Sequence, residues 1–235
     1  MFAWNKTNDQ LIAEAPGFSG APIHITGNCR LDMLRPELIP FYDDDVRKLK
    51  DRFGDFILIN SNFGVVNHVV PTQQNKQRKI GAASGIGAQL DAIWQHRQRM
   101  FETFLKLLPE LGRVFPNTSI IVRPHPSEDH EAWKRAGGGC KSIHVLHEGS
   151  VIPWLLASKA TIHNSCTTGI EAFLLDRQAI SFVPFKSEFG EVELPDQLSY
   201  SVNSEKQLLA VIEDRLLSEK PIPRTPQQLK IIDEV

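Results

Sequence analysis

The sequence has little of what would place it in several broad classes. Only three of its 235 residues are cysteine. Cys29, Cys140 and Cys166 stand far apart with no CxxC pair, so there is no zinc or redox motif, and a reducing compartment is the simpler setting. No window approaches ~18 uninterrupted apolar residues, so no membrane-spanning helix is expected. The amino terminus, MFAWNKTNDQ, lacks a basic stretch followed by an apolar core and does not read as a secretory signal. Neither sign of charge dominates: 26 Lys and Arg stand against 28 Asp and Glu. That balance gives no electrostatic case for nucleic acid as the main partner. Internal repeats and low-complexity tracts are missing. The expected setting is the cytoplasm, including the inner face of the cell membrane through peripheral association.

Familiar chemical signatures are missing too. GAASGIGAQ contains glycines, but its spacing matches neither the P-loop nor the dinucleotide fingerprint, and no clear strand feeds it. Three adjacent aspartates in FYDDDV fit a solvated helix start better than a metal site. His144, His147 and His163 fall in or near strands without metal-ligand spacing. No Ser-His-Asp set can be assembled from local motifs. Neither a metal nor a resident cofactor is expected.

What remains is an ordinary globular composition, 41% hydrophobic and 23% charged. A chain of this length buries roughly 70–75% of its unfolded surface and needs no disulfide or metal. NDQLIAEA predicts a short helix capped by Asn8 or Asp9. APIHITGN follows as a short strand, with no preceding strand long enough to pair with it. CRLDMLRPELIPFYDDD reads as an irregular connector, which divides the chain into residues 1–40 and 41–235. From about residue 45 strand and helix alternate. DDDVRKLKDRFG predicts an amphipathic helix stopped by Gly54, and DFILIN a strand buried on both faces. Residues 63–87 read as a long polar loop at the working edge of the sheet. AQLDAIWQHRQRMFETFLKLLPELGRVFP is the longest helix, its stripe made by Leu90, Ile93, Trp94, Met100, Phe101, Phe104, Leu107 and Leu108. TSIIVRPHP, SIHVLHEG, ATIHNS and AISFVPF supply four further strands. EDHEAWKRAGGG, VIPWLLASK, TGIEAFLLD and SEKQLLAVIEDRLLSE supply helices. This is α/β text: a Rossmann-like parallel sheet with helices on both faces.

Ligands bind such sheets beyond the carboxyl ends of the strands, and three motifs fall there. HNSCTTGIEA (163–172) places Asn164, Ser165, Thr167, Thr168 and Gly169 where a strand gives way to a helix. Free backbone N–H groups and hydroxyls there suit a phosphate, and Gly169 leaves room for its approach. Glu171, one turn inside, carries a carboxylate able to accept two hydrogen bonds from a ribose diol. The same residues also fit a plain N-cap with a dipole-matched acid. RPHPSED (123–129) holds His125 between Pro124 and Pro126, which fix its direction. His125 then suits hydrogen bonding to a phosphate or glycosyl oxygen, as the imidazolium. Arg123 adds charge or pairs with a surface carboxylate, and Ser127 caps the next helix. NSNFG (60–64), with Asn60, Ser61, Asn62 and Gly64, reads as a structural turn. Since it faces the other two motifs, it also reads as a source of phosphate or sugar contacts, with Asn62 binding the donor.

Together ITGNCRLDMLRPEL, DFILINSNFG, RPHPSEDHEAW and HNSCTTGIEAFLLDRQAISFVP resemble the bacterial surface-carbohydrate-biosynthesis proteins. These are GT-B glycosyltransferase-like enzymes, similar in pattern to capsule-type Kdo transferases and bacterial sialyltransferases. The resemblance covers about residues 20–185. It implies two Rossmann-like domains facing a cleft, with this chain forming the carboxyl-terminal, donor-binding half. Residues 1–28 would be the tail of an acceptor-side domain whose bulk is absent. It implies that His125-Pro126 and Ser165, Thr167 and Thr168 bind the nucleotide of a CMP-sugar, with Glu171 on the ribose. His125 would stabilise charge on the leaving phosphate. Cys29 stands where the pattern has proline. The implied partners are a nucleotide sugar and a glycan acceptor. The same layout also serves teichoic-acid-type polyol-phosphate transferases, UDP-sugar epimerases and a catalytically silent nucleotide- or partner-binding half.

Overall fold

The computed structural model describes residues 1–70, 87–187, 193–217 and 223–233. Most of the loop expected over 63–87, including GAASGIGAQ up to residue 86, lies outside the described residues. The chain opens with β1 (Phe2–Ala3), α1 (Lys6–Ala13) and β2 (His24–Ile25). The two strands pair in parallel, Phe2 with His24 and Ala3 with Ile25. The expectation that the strand in APIHITGN lacks an earlier partner is therefore corrected: the first residues of the chain supply one. The cap of α1 moves as well. Asn5 accepts a hydrogen bond from the Asn8 N–H at 2.9 Å, so Asn8 lies inside the helix.

The connector is less irregular than its prolines suggest. It holds α2 (Cys29–Asp32) and a 3₁₀ turn, Pro36–Tyr42. The boundary drawn at residue 40 falls inside that turn. Leu34 and Tyr42 are buried against the sheet that follows. α3 (Asp43–Phe53) begins with three aspartates and ends with Lys50 and Arg52, as the helix dipole favours. Gly54, at φ +66, stops it.

The main sheet is built from β3 (Phe56–Asn60), β4 (Ser119–Arg123), β5 (Ile143–Val145), β6 (Ala160–His163), β7 (Ile180–Phe182) and β8 (Tyr200–Val202). The order is β5-β4-β3-β6-β7-β8, and every pairing is parallel. Between them run α4 (Gly87–Val114), α5 (His130–Ala136), α6 (Val151–Ala157), α7 (Thr168–Leu174) and α8 (Glu193–Gln197). α9 (Glu205–Leu217) and α10 (Pro226–Asp233) follow. This is the doubly wound, Rossmann-like α/β architecture, with helices on both faces.

The two-residue period of the strands sorts the core. Ile57, Ile59, Ile120 and Val122 face one layer, packed by Phe104, Leu107 and Leu108 of α4, Trp133 of α5 and Ile212 of α9. Phe56, Leu58 and Ile121 face the other, against Phe53 of α3 and Trp154 and Leu155 of α6. The α4 stripe is buried from Met100 to Leu111, whereas Leu90, Ile93 and Trp94 are half-buried. β8 and α8 were not foreseen. β8 has three residues, two of them exposed, so it lacks the apolar run that marked the other strands.

His163 ends β6 in full burial. Its Nδ1 accepts from the Cys166 N–H at 3.3 Å, so the proton sits on Nε2, which lies 2.8 Å from Ser199 Oγ. Ser199 in turn donates to the Pro195 carbonyl. Burial pushes the His163 pKa down to about 3 from 6.5. Below pH 6.5 the unfolded chain binds a proton that the folded protein refuses until about pH 3. Stability is therefore full above pH 6.5 and falls as pH drops, by up to about 1.4 kcal/mol per pH unit. Urea midpoints at pH 7 and pH 5 are expected to differ less in His163→Gln than in the parent. Equal slopes would show that His163 is not the group responsible.

Candidate functional site

The sheet order reverses between β3 and β6, so the segments after these two strands diverge and leave a crevice. A cavity of about 820 Å³ occupies it. One wall is the turn after β3, with Asn60, Ser61 and Asn62, and the turn after β4, with Arg123 to Pro126. The segment after β5, His147 and Gly149 to Ile152, forms a second. Cys166, Thr167, Thr168 and Glu171 close the third, and Arg30, Met33, Phe41 and Tyr42 overhang from the amino-terminal segment.

Two turns are held together by one carboxylate. Glu128, 2% exposed, accepts on Oε1 from Ser61 Oγ at 2.8 Å, the Phe63 N–H at 2.9 Å and the His125 N–H at 3.0 Å. Its Oε2 accepts from Trp133 Nε1 at 3.0 Å. Gly64 lies so close to this turn that a Cβ would stand 2.2 Å from Ser127 Oγ. Ser127 does not cap α5 as the sequence suggested; Asp129 does, accepting from the Glu131 N–H. Ser127 Oγ instead bonds His125 Nδ1 at 2.8 Å. His125 is exposed at the cavity with Nε2 turned to no hydrogen-bond partner among the described residues.

Arg123 ends β4 and is 5% exposed. Its Nη2 donates to the Gly149 carbonyl and, at 3.4 Å, to that of Glu148. Nε is buried with no hydrogen-bond partner among the described residues. Among the described residues no carboxylate lies within ion-pair distance, so the surface pairing considered from sequence is not the one found. Burial pushes its pKa down, and the Glu171 carboxylate opposes that shift. The guanidinium nonetheless stays charged.

Glu171 is 3% exposed. Burial raises its pKa, against the pull of Arg30 and Arg123. Arg30 of α2 holds its Oε1 through Nε at 2.8 Å and Nη2 at 2.6 Å. The carboxylate thus reaches the cavity already bridged to the amino-terminal segment.

The HNSCTTGIEA stretch divides in two. Thr167 is exposed on the cavity wall, and Thr168 accepts from Asn60 Nδ2 beside it. Cys166, also on the wall, is a thiol whose pKa burial raises. Asn164, Ser165 and Gly169 do not line the cavity. Asn164 Oδ1 accepts from the Asn62 N–H at 2.9 Å and ties the two turns together. Ser165 turns away to donate to Asp196 Oδ2 at 2.7 Å. A Cβ at Gly169 would stand 2.7 Å from the Pro195 carbonyl and 2.9 Å from His163 Nε2. Close packing against α8, rather than room for a phosphate, is what that glycine serves here. Glu128, His147 and Arg30 were missed as site residues. Glu128 looked like one more acid ahead of a helix, and only the four donors around it reveal its role.

Among the described residues no group of three or more His, Cys, Asp or Glu side chains could hold a metal ion. Nor is any described helix long and apolar enough to cross a membrane. No family model and no curated protein matches the chain. Solved structures do match. The UDP-GlcNAc 2-epimerase of Methanocaldococcus jannaschii, in complex with UDP-GlcNAc and UDP, shares 15% identity at a TM-score of 0.49. WaaG, a glycosyltransferase of lipopolysaccharide biosynthesis, shares 13% at 0.42, and the wall teichoic acid polymerase TagF 11% at 0.43. They match 99%, 99% and 92% of this chain, which covers 59%, 56% and 51% of theirs. The chain therefore spans little more than half the length of these structures. Likenesses this remote assign no activity.

Replacing Glu128 by Gln puts an amide NH₂ among four donors. Leaving such buried donors unmatched costs about 1–3 kcal/mol. In Glu128→Gln a loss of that size is expected, with faster hydrogen exchange at the His125 and Phe63 amides. Unchanged protection at both would mean that Glu128 does not order the turns.

Proposed function

We propose that this chain is the nucleotide-sugar-binding, donor-side half of a GT-B glycosyltransferase-like enzyme, with a CMP-linked sugar as the favoured donor. Arg123 carries the reading. A buried guanidinium without a carboxylate is costly, and a phosphate oxygen meets the fork of an arginine better than any other common group. Its position at the end of β4, beside the crevice where the sheet order reverses, is where such folds take their ligands. His125 Nε2 on the same wall and the Thr167 hydroxyl on the wall after β6 are further donors. Glu171 suits a ribose diol, provided that Arg30 yields or shares its oxygens. CMP is preferred on the resemblance of His125-Pro126 and the Thr167-Thr168 helix start to CMP-sugar enzymes. Ser165, engaged by Asp196, is not needed for that reading.

In a transfer reaction, His125 and Arg123 would stabilise charge growing on the departing phosphate, where such contacts act most strongly. The acceptor, the membrane surface and the general base belong to the part of the enzyme facing this cavity. Residues 1–40 are assigned to that side and residues 41–235 to the donor domain.

Melting curves with CMP, UMP, CDP, UDP and GDP test the proposal. A ligand at about a hundred times its Kd adds roughly 2.7 kcal/mol, which raises Tm by roughly 5–10 °C in a domain of this size. CMP is expected to give the largest shift, and Arg123→Lys to weaken it at least tenfold in concentration. A larger shift with CDP or UDP would favour the polyol-phosphate or epimerase chemistry. No shift with any nucleotide, in a chain that melts cooperatively, would overturn nucleotide binding.

A further inference from the structure

His147 follows β5, two residues past its last position, and it belongs to none of the three strand-end motifs. Its backbone segment is firmly held. The Leu146 N–H donates to the Val122 carbonyl at 3.0 Å, and the Glu148 carbonyl accepts from Trp154 Nε1 at 2.9 Å. The ring is fixed by its own contacts. Nδ1 lies 2.7 Å from the Pro124 carbonyl, which can only accept, so Nδ1 carries the proton.

Two consequences follow from that tautomer. Arg123 Nη1, 3.3 Å from the same Nδ1, meets a donor there rather than an acceptor. It therefore joins Nε in having no acceptor on that side among the described residues. In the neutral ring Nε2 must then be a bare acceptor. Burial lowers the His147 pKa, and the neighbouring Arg123, His130 and His125 push it the same way, against the Pro124 bond. His147 lines the cavity, and its Nε2 has no hydrogen-bond partner among the described residues.

A cation seeking an anion thus stands beside a neutral acceptor seeking a donor, on two adjacent strand ends. Inorganic sulfate, an anion with no proton to donate at neutral pH, satisfies the first alone. We propose that His147 Nε2 receives an O–H or N–H of the same ligand whose anionic group Arg123 binds, so that this pair selects nucleoside phosphates over a simple anion that carries no donor. The inference rests on the nucleotide reading and assigns His147 a direct ligand contact within it. Ribose hydroxyl and base N–H offer the same chemistry to Nε2, and the probes below tell them apart.

Calorimetric titrations of the full chain with inorganic sulfate, ribose 5-phosphate, CMP and UDP test it. His147→Phe keeps a planar ring without the acceptor; His147→Gln keeps an acceptor and serves where the first variant fails to fold. The parent is expected to bind at least one of the two nucleotides tenfold or more tightly than sulfate. His147→Phe should lose about tenfold for that nucleotide, the size of one hydrogen bond, and nothing for sulfate. His147→Gln should fall between the two. If ribose 5-phosphate shows the same dependence on His147, the donor is a sugar hydroxyl; if it does not, the donor is on the base. Equal losses for sulfate and nucleotide would overturn the proposal, because His147 would then act only by positioning Arg123. Unchanged nucleotide affinity in His147→Phe would overturn it and leave nucleotide binding standing. Failure of the parent to bind either nucleotide would overturn both.

Discussion

A single buried carboxylate sets the geometry of the cavity. Glu128 gathers donors from three segments: Ser61 and Phe63 after β3, His125 after β4 and Trp133 on α5. Each would otherwise be a donor with no water to turn to. Meeting all of them with one side chain, beside the backbone bridge between His68 and Glu128, fixes the separation of two turns beyond the paired strands. His125 and Asn62 owe their places on the cavity wall to that convergence. Gly64 is part of the same constraint, since a side chain there would push Ser127 and with it the His125 ring. A polar hub this well satisfied rigidifies the end of the sheet, and preorganised donors are what an anionic ligand requires.

The cavity's electrostatics follow from where charge is left unpaired. Glu171 is matched by Arg30, but among the described residues Arg123 meets only carbonyl oxygens and the N–H edge of an imidazole. Its positive charge is neutralised only at longer range, by Glu171. The cavity thus presents two guanidinium groups, Arg30 spent on Glu171 and Arg123 with no carboxylate within ion-pair distance among the described residues. The Arg30 bridge adds a structural link that composition alone would not suggest. It fastens the amino-terminal segment to the group best suited to a ribose, so whatever moves residues 28–42 also changes the state of Glu171.

The fold was legible because buried parallel strands announce themselves as apolar runs. FILIN, SIIV and ATIH needed no partner to be recognised, and the glycine stop and acid-to-base order of α3 were equally plain. β8 escaped because it is short and half exposed, and β1 because two residues make no pattern. The site was legible in outline, since motifs at strand ends have to converge in a doubly wound sheet. Its working parts were less so. Whether a hydroxyl faces the ligand or the interior depends on a turn's backbone, and spacing does not encode that. Glu128, Arg30 and His147 all act across distances in sequence that no local motif spans; Arg30 and Glu171 are 141 positions apart.

The stretch HNSCTTGIEA shows how the two demands share one segment. Ser165 sits at φ +49, a region sparsely populated by residues with a Cβ. Its hydroxyl bond to Asp196 holds that turn and aims the chain so that Thr167 and Thr168 follow on the cavity side. Gly169 then lets the helix settle against the Pro195 carbonyl and the buried His163. Asn164 spends both ends of its amide on Asn62. Of the small polar residues, roughly half serve the turn and half the wall. The density of hydroxyls that first suggests a phosphate cradle is in part the cost of building a tight buried turn from polar backbone. What distinguishes this site from an ordinary helix start is not that density. It is the buried arginine two strands away, whose Nε has no hydrogen-bond partner and whose charge has no carboxylate within ion-pair distance among the described residues.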